Sequence, residues 1–177
     1  QLTEAVIKVN DEIKRRMIDK IFEVCGGSVN GKVIAVLGVT FKPNTDDMRD
    51  APSLMIVPAL IGNGATVRVV DPQGLHEGKA LLPGVVWEDG VGPAVEGADA
   101  IVLLTEWNEF RALDLEKISS RMNTPAMVDL RNIYTPQAAT AAGFMSYVSV
   151  GRMQAENKFE TVSYNLAGGT HSGSYTH

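Results

Sequence analysis

The chain has 177 residues, which suits one domain or one domain with an appendage, and its 45% hydrophobic content is enough to build a buried core. The net charge of −5 is carried by interspersed acids and bases, which argues against a nucleic-acid partner, since sequence-independent binding to a polyanion needs clustered Lys and Arg. The single cysteine, Cys25, excludes an internal disulfide framework and points to a cytoplasmic location, and no apolar run approaches the roughly 18 residues of a membrane span.

The chain opens on Gln1 with a helical pattern already running at Leu2, and no signal-peptide pattern precedes it, so it reads as a piece of something longer. Leu2, Val6, Val9, Ile13, Met17, Ile21 and Val24 recur at three- and four-residue spacing and predict one long helix over 2–25, ended by Gly26-Gly27. A strand follows at Val33 to Leu37, then a loop over 38–50. Ala51-Pro52-Ser53 opens a helix with Leu54, Val57, Leu60 and Ile61 on one face, stopped by Gly62-Asn63-Gly64.

"ATVRVVDP" reads as a second strand ending at Asp71-Pro72, Leu75 to Leu82 as a short helix, and Val85 to Trp87 as a short extended piece. Val91 to Glu96 is another short helix. Ala100 to Thr105 is apolar on both faces, as a central parallel strand must be. "DLEKISSRM" is a helix with Asp114 as N-cap, "AMVDLRN" a strand ending at Arg131-Asn132, "TPQAATAAGF" a small helix, and "MSYVSVG" a last strand. Strands alternating with helices predict an α/β fold: a Rossmann-like three-layer sandwich with a mostly parallel sheet, preceded by the long N-terminal helix. From Arg152 on the sequence turns Gly/Ser/Thr-rich and non-periodic, which predicts an irregular tail.

Ligands of a parallel sheet sit at the carboxyl ends of its strands. Three loops there supply cations: Lys42 and Arg49 from 38–50, Arg111 from 105–111, and Arg131 from 130–134. Converging, they would hold an anion such as a pyrophosphate; alternatively the arginines cap helices or pair with Asp46, Asp47 and Asp129. A dinucleotide fingerprint is missing, because only Gly38 stands where three glycines are wanted. Asp71 occupies the position of a ribose-binding acid, or simply ends its strand in a turn. Trp107 either stacks a base or packs under its loop.

Asp46 and Asp47 are adjacent on an extended loop, point apart and have no histidine nearby, so no metal site is expected. Cys25 follows a helix C-terminus, where the dipole raises a thiol pKa, which marks a structural cysteine instead of a nucleophile.

"GVTFKPNTDDMRDAPS", "GATVRVVDP", "GADAIVLLTEWNEF", "VDLRNIY" and "SVGR", in this order, resemble the C-terminal, UDP-binding domain of the UDP-glucose/GDP-mannose dehydrogenase family, in its UDP-glucose-oxidising branch. The resemblance spans about residues 1–152. It implies an end of the interdomain and dimerisation helix at 1–27, a UDP-sugar-binding domain at 30–152, and a tail at 153–177 that matches nothing in the family. It also implies an NAD-dependent oxidation of UDP-glucose to UDP-glucuronate in two hydride transfers, with NAD held mainly by a domain outside this chain, and a homodimer through the N-terminal helix. GDP-mannose and UDP-N-acetyl-hexosamine dehydrogenases of the same family, or a non-catalytic nucleotide-binding module, are the alternatives. By resemblance, Phe41, Lys42 and Arg131 contact the nucleotide sugar and Arg49 reaches the NAD. The family's nucleophilic cysteine motif is absent, so no catalytic residue is expected here.

Overall fold

The computed structural model describes residues 1–150. Among them, six strands form one sheet, all parallel: β1 (Val33–Leu37), β2 (Thr66–Val70), β3 (Val86–Trp87), β4 (Ala100–Leu103), β5 (Ala126–Asp129) and β6 (Ser146–Ser149), in the spatial order β3-β2-β1-β4-β5-β6. The expectation of a mostly parallel sheet is thus met with no antiparallel member. The chain builds outward from β1 in one direction, then returns to β1's other side and builds outward again through β4. The strand order therefore reverses between β1 and β4, where an open parallel sheet presents its crevice.

The helices are α1 (Leu2–Val24), α2 (Ser53–Gly62), α3 (Leu75–Leu81), α4 (Val91–Val95), α5 (Asn108–Arg111), α6 (Leu115–Arg121) and α7 (Pro136–Ala141). Side chains alternate across each strand and sort the helices into two layers. Ile34, Val36, Val67, Val69, Val102 and Val128 pack with Ile21 of α1 and with Ile56, Val57 and Leu60 of α2. Ala35, Leu37, Ile101, Leu103 and Met127 face the other way, onto Val95 of α4, Phe110 of α5, Ile118 of α6 and Ala139 of α7. β1, β4 and β5 are buried on both sides, which is why their sequences carry no polar alternation.

Most predicted elements stand where the sequence placed them. Asp114 caps α6 by accepting from the Lys117 amide at 3.1 Å, and Thr135 does the same for α7 through Ala138. Three details differ. β5 ends at Asp129, so Arg131 and Asn132 lie in the loop beyond it. Residues 108–111 form a short helix, buried through Phe110, where a loop was expected. α2 turns Ile56 into the core, while Leu54 and Ile61 lie at its edge.

α1 is divided in its surroundings. Met17, Ile18, Ile21 and Phe22 belong to the core beside α2, β5 and β6, and Lys20 Nζ donates to the carbonyl of Ser149 at 3.4 Å. Leu2, Val6 and Val9, on the same predicted stripe, are exposed. No helix of the described residues is long and apolar enough to cross a membrane. The tail expected over 153–177 lies outside the described residues.

Candidate functional site at the carboxyl edge of the sheet

The turn after β1 decides what kind of site this edge can be. Gly38 has φ +84°, and a Cβ added there would stand 2.4 Å from Thr105 Cβ and 2.7 Å from its Oγ1. Thr105 Oγ1 donates to the Thr40 carbonyl at 2.8 Å, and both threonines are buried. At the reversal between β1 and β4 the backbone is closed by side chains, where a dinucleotide cradle would leave it open.

Asp71, just past β2, secures the same turn from the other side. Its Oδ2 accepts from the amides of Val39 at 2.7 Å and Thr40 at 3.2 Å, and its Oδ1 from those of Gln73 at 3.0 Å and Gly74 at 2.6 Å. Ser53 Oγ donates to the Val39 carbonyl at 2.5 Å and locks the start of α2 to the turn. The two readings of Asp71 resolve in favour of a tie between turns, with its oxygens committed to backbone amides.

Beyond this base the loop rises outward. The Phe41 amide donates to the Asp47 carbonyl at 2.7 Å, and Asn44 and Asp50 take positive φ of 61° and 56°. Met48 and Ala51 are buried and anchor the returning limb. Phe41 is 47% exposed, an unusual placement for a phenylalanine, and Lys42 beside it is exposed and joins no ion pair among the described residues. Arg49 lays its guanidinium along Asp47, with Nε at 3.0 Å from Oδ1 and a terminal nitrogen at 3.1 Å from Oδ2. The pairing expected as an alternative for the arginines is realised here. Arg49's hydrogen bonds hold the Asp47 carboxyl down from 3.8 to about 2. Arg49's side chain is still 88% exposed.

Arg131 stands on a rigid base. Asp129, fully buried at the end of β5, accepts from the Arg131 amide at 3.2 Å, the Tyr134 amide at 2.8 Å and the Tyr147 hydroxyl at 2.9 Å. Burial, aided by the Asp129 charge, pushes the Tyr147 phenol up, so it stays a neutral donor. Arg131's side chain meets Glu106 Oε1 at 3.1 Å, while Arg111 meets Glu106 Oε2 at 2.7 Å. The cations expected from the second and third loops do converge, and they do so on a carboxylate that sequence reasoning did not single out. The available signal was position: Glu106 lies just past β4, as Arg131 lies just past the neighbouring β5.

Trp107 follows Glu106 and is 4% exposed, packed among the apolar residues of its layer. Of its two expected roles, packing under the loop is the observed one. Lys42 and Arg49 stand on the loop after β1, and Arg131 on the loop after β5, at the same edge of the sheet. Cys25 is remote from them, packed against the core at the end of α1. Burial raises its thiol from 9.0 to about 11, in keeping with a structural cysteine.

Comparison with known proteins gives a consistent set of likenesses. The sequence profile described as "UDP-glucose/GDP-mannose dehydrogenase family, UDP binding domain" matches residues 35–136. A UDP-glucose 6-dehydrogenase of Rhizobium meliloti is 47% identical over 152 residues, 86% of this chain and 35% of that protein. The UDP-glucose 6-dehydrogenase YwqF of Bacillus subtilis is 42% identical over 153 residues, 86% of this chain and 34% of that protein. A solved UDP-glucose dehydrogenase from the hyperthermophilic archaeon Pyrobaculum islandicum superposes with a TM-score of 0.66 at 26% identity, covering 82% of this chain and 31% of that one. The chain thus spans about a third of the length of the curated relatives it matches.

Proposed function

The chain belongs to the UDP-glucose/GDP-mannose dehydrogenase family, and from that premise we propose that it is the UDP-binding part of a cytoplasmic, NAD-dependent UDP-glucose 6-dehydrogenase, which oxidises UDP-glucose to UDP-glucuronate in two hydride transfers. The observation that carries the reading is the Phe41-Lys42 pair. Both side chains are exposed at the carboxyl edge, on a loop whose base is shut by Gly38 against Thr105. With no backbone cradle available, a diphosphate at this edge has to be met by side chains. Lys42 serves as a point charge for a phosphate, Arg131 presents a planar fork of donors, and Phe41 offers an apolar face to the uridine or sugar.

The same closed turn bears on the cofactor. The residues after β1 do not fit a bound dinucleotide, so NAD, which supplies the hydride acceptor, belongs to a part of the protein outside this chain. The near-complete exposure of Arg49, paired only with Asp47 among the described residues, supports its reaching the cofactor from here. Cys25, half-buried with a raised thiol, takes no part in the chemistry. The exposed Leu2, Val6 and Val9 of α1 support a homodimer through that helix.

The test is a calorimetric titration of the complete protein with UDP, with GDP as control. UDP is expected to bind in preference to GDP, and Lys42→Ala to weaken UDP about tenfold, the loss of one charge-assisted contact. Equal binding of both nucleotides, or an unchanged UDP affinity in Lys42→Ala, would overturn the reading.

A further inference from the structure

We propose that Glu106 is a positioning residue: it holds the Arg131 guanidinium in the attitude in which it receives a phosphate, and so strengthens anion binding although it is itself an anion. The inference rests on the nucleotide-binding reading of this edge.

Three observations carry it. First, Glu106 is shared. One oxygen takes Arg131 at 3.1 Å and the other takes Arg111 at 2.7 Å, so the three side chains keep a net positive charge. Second, the contact to Arg131 uses a single terminal nitrogen, which leaves the rest of the five-donor fork for a ligand. Third, both ends of the tether are fixed. Glu106 sits between Thr105 and Trp107, which are buried, and Arg131 follows Asp129, whose carboxylate is locked by two amides and the Tyr147 hydroxyl. The side chains of Glu106 and Arg131 are each about one third exposed, so ligand and solvent can reach them. A long arginine left untethered would lose rotamer freedom on binding; here the carboxylate has already restricted it.

Simple electrostatics and positioning predict opposite signs. Removing a negative charge from beside a phosphate should tighten UDP if Glu106 is only a nearby charge. If Glu106 positions Arg131, Glu106→Ala should weaken UDP several-fold, and Glu106→Gln, which keeps an acceptor oxygen, should recover part of the loss.

The experiment is UDP calorimetry on the complete protein for wild type, Glu106→Ala, Glu106→Gln, Arg131→Ala and the double variant Glu106→Ala/Arg131→Ala, with thermal midpoints as a folding control. The expected result is weaker binding in Glu106→Ala, an intermediate value in Glu106→Gln, and no further loss when Glu106→Ala is added to Arg131→Ala. Equal or tighter binding in Glu106→Ala, with Arg131→Ala weakened, overturns the positioning role alone. A further loss in the double variant also overturns it, because Glu106 would then act independently of Arg131. An unchanged Arg131→Ala removes the nucleotide-site reading of this arginine and the proposal with it.

Discussion

Gly38 lies so close to Thr105 that a single methyl group between them would stand 2.4 Å from Thr105 Cβ and 2.9 Å from its backbone nitrogen. A backbone atom at that distance cannot step aside as the end of a long side chain can. Gly38→Ala therefore combines a strained φ with a clash, and about 3 kcal/mol of stability should be lost. Gly31, also at positive φ but with nothing within 4 Å of an added Cβ, is the control; Gly31→Ala should cost only about 1 kcal/mol. Urea unfolding of the two variants measures the difference. Equal losses would mean that the Thr105 contact yields easily.

Asp71 tests the other support of the same turn. Both of its oxygens accept backbone amides, so Asp71→Asn turns an amide NH2 toward at least two N–H groups whichever way it flips. About 2–3 kcal/mol of destabilisation should follow, read from the same unfolding curves. A near-neutral result would show that the β1 turn holds without this carboxylate.

Arg49 and Asp47 make a prediction in pH. The carboxyl falls from 3.8 to about 2 on folding, so the pair is present above pH 3.8 and is lost as pH drops through about 2. An NMR titration of the Asp47 side chain should show its midpoint near pH 2 and no change between pH 5 and 9. In the complete enzyme, Arg49→Ala should weaken NAD more than UDP-glucose; equal losses would count against its reaching the cofactor.

The Cys25 thiol, at about 11 instead of 9.0, carries about a hundredfold less thiolate at pH 8 than an ordinary cysteine. Its alkylation by iodoacetamide at that pH should be slower by about that factor. Cys25→Ser should leave turnover of the complete enzyme intact, and loss of activity without loss of stability would contradict its structural role.

Tyr147→Phe removes one of the three donors to buried Asp129. A stability loss of about 1–2 kcal/mol is expected in thermal unfolding. UDP affinity should fall less than in Arg131→Ala, because two amides still orient the β5 end.

The layers of this fold were legible in the sequence because each strand announces its burial. Ala100 to Leu103 and Ala126 to Asp129 have no polar alternation, and all but Asp129 are apolar; the helices between them start at residues such as Asp114 and Thr135. α5 was not legible: four residues are too few for periodicity, and only the burial of Phe110 gives it a face. The cations of the edge are legible one by one, and the Arg49–Asp47 pair is legible as an alternative, but the pairing of Arg111 and Arg131 is not. In sequence the acid beside Arg131 is Asp129, whereas its partner Glu106 is 25 residues away and adjacent only through the β4–β5 register. Likewise Asp71 reads as a turn residue or a ligand in sequence, and only the reach of 32 residues back to Val39 separates them.

The strand order also sets a timetable for synthesis. β1 is the seam of the sheet, yet its second neighbour enters 66 residues later, where Asp99 caps the Val33 amide at 2.8 Å. The C-terminal half of α1 waits longer still, for a contact between Lys20 and Ser149 separated by 129 residues. During synthesis, the C-terminal half of α1 therefore has α2 to pack against early, while its contacts with β5 and β6 wait until those strands have been made. Such distant pairings slow folding relative to folds built from local contacts, because loop closure has to precede them. They also make the nascent chain, more than the finished fold, the stage at which chaperones would be needed.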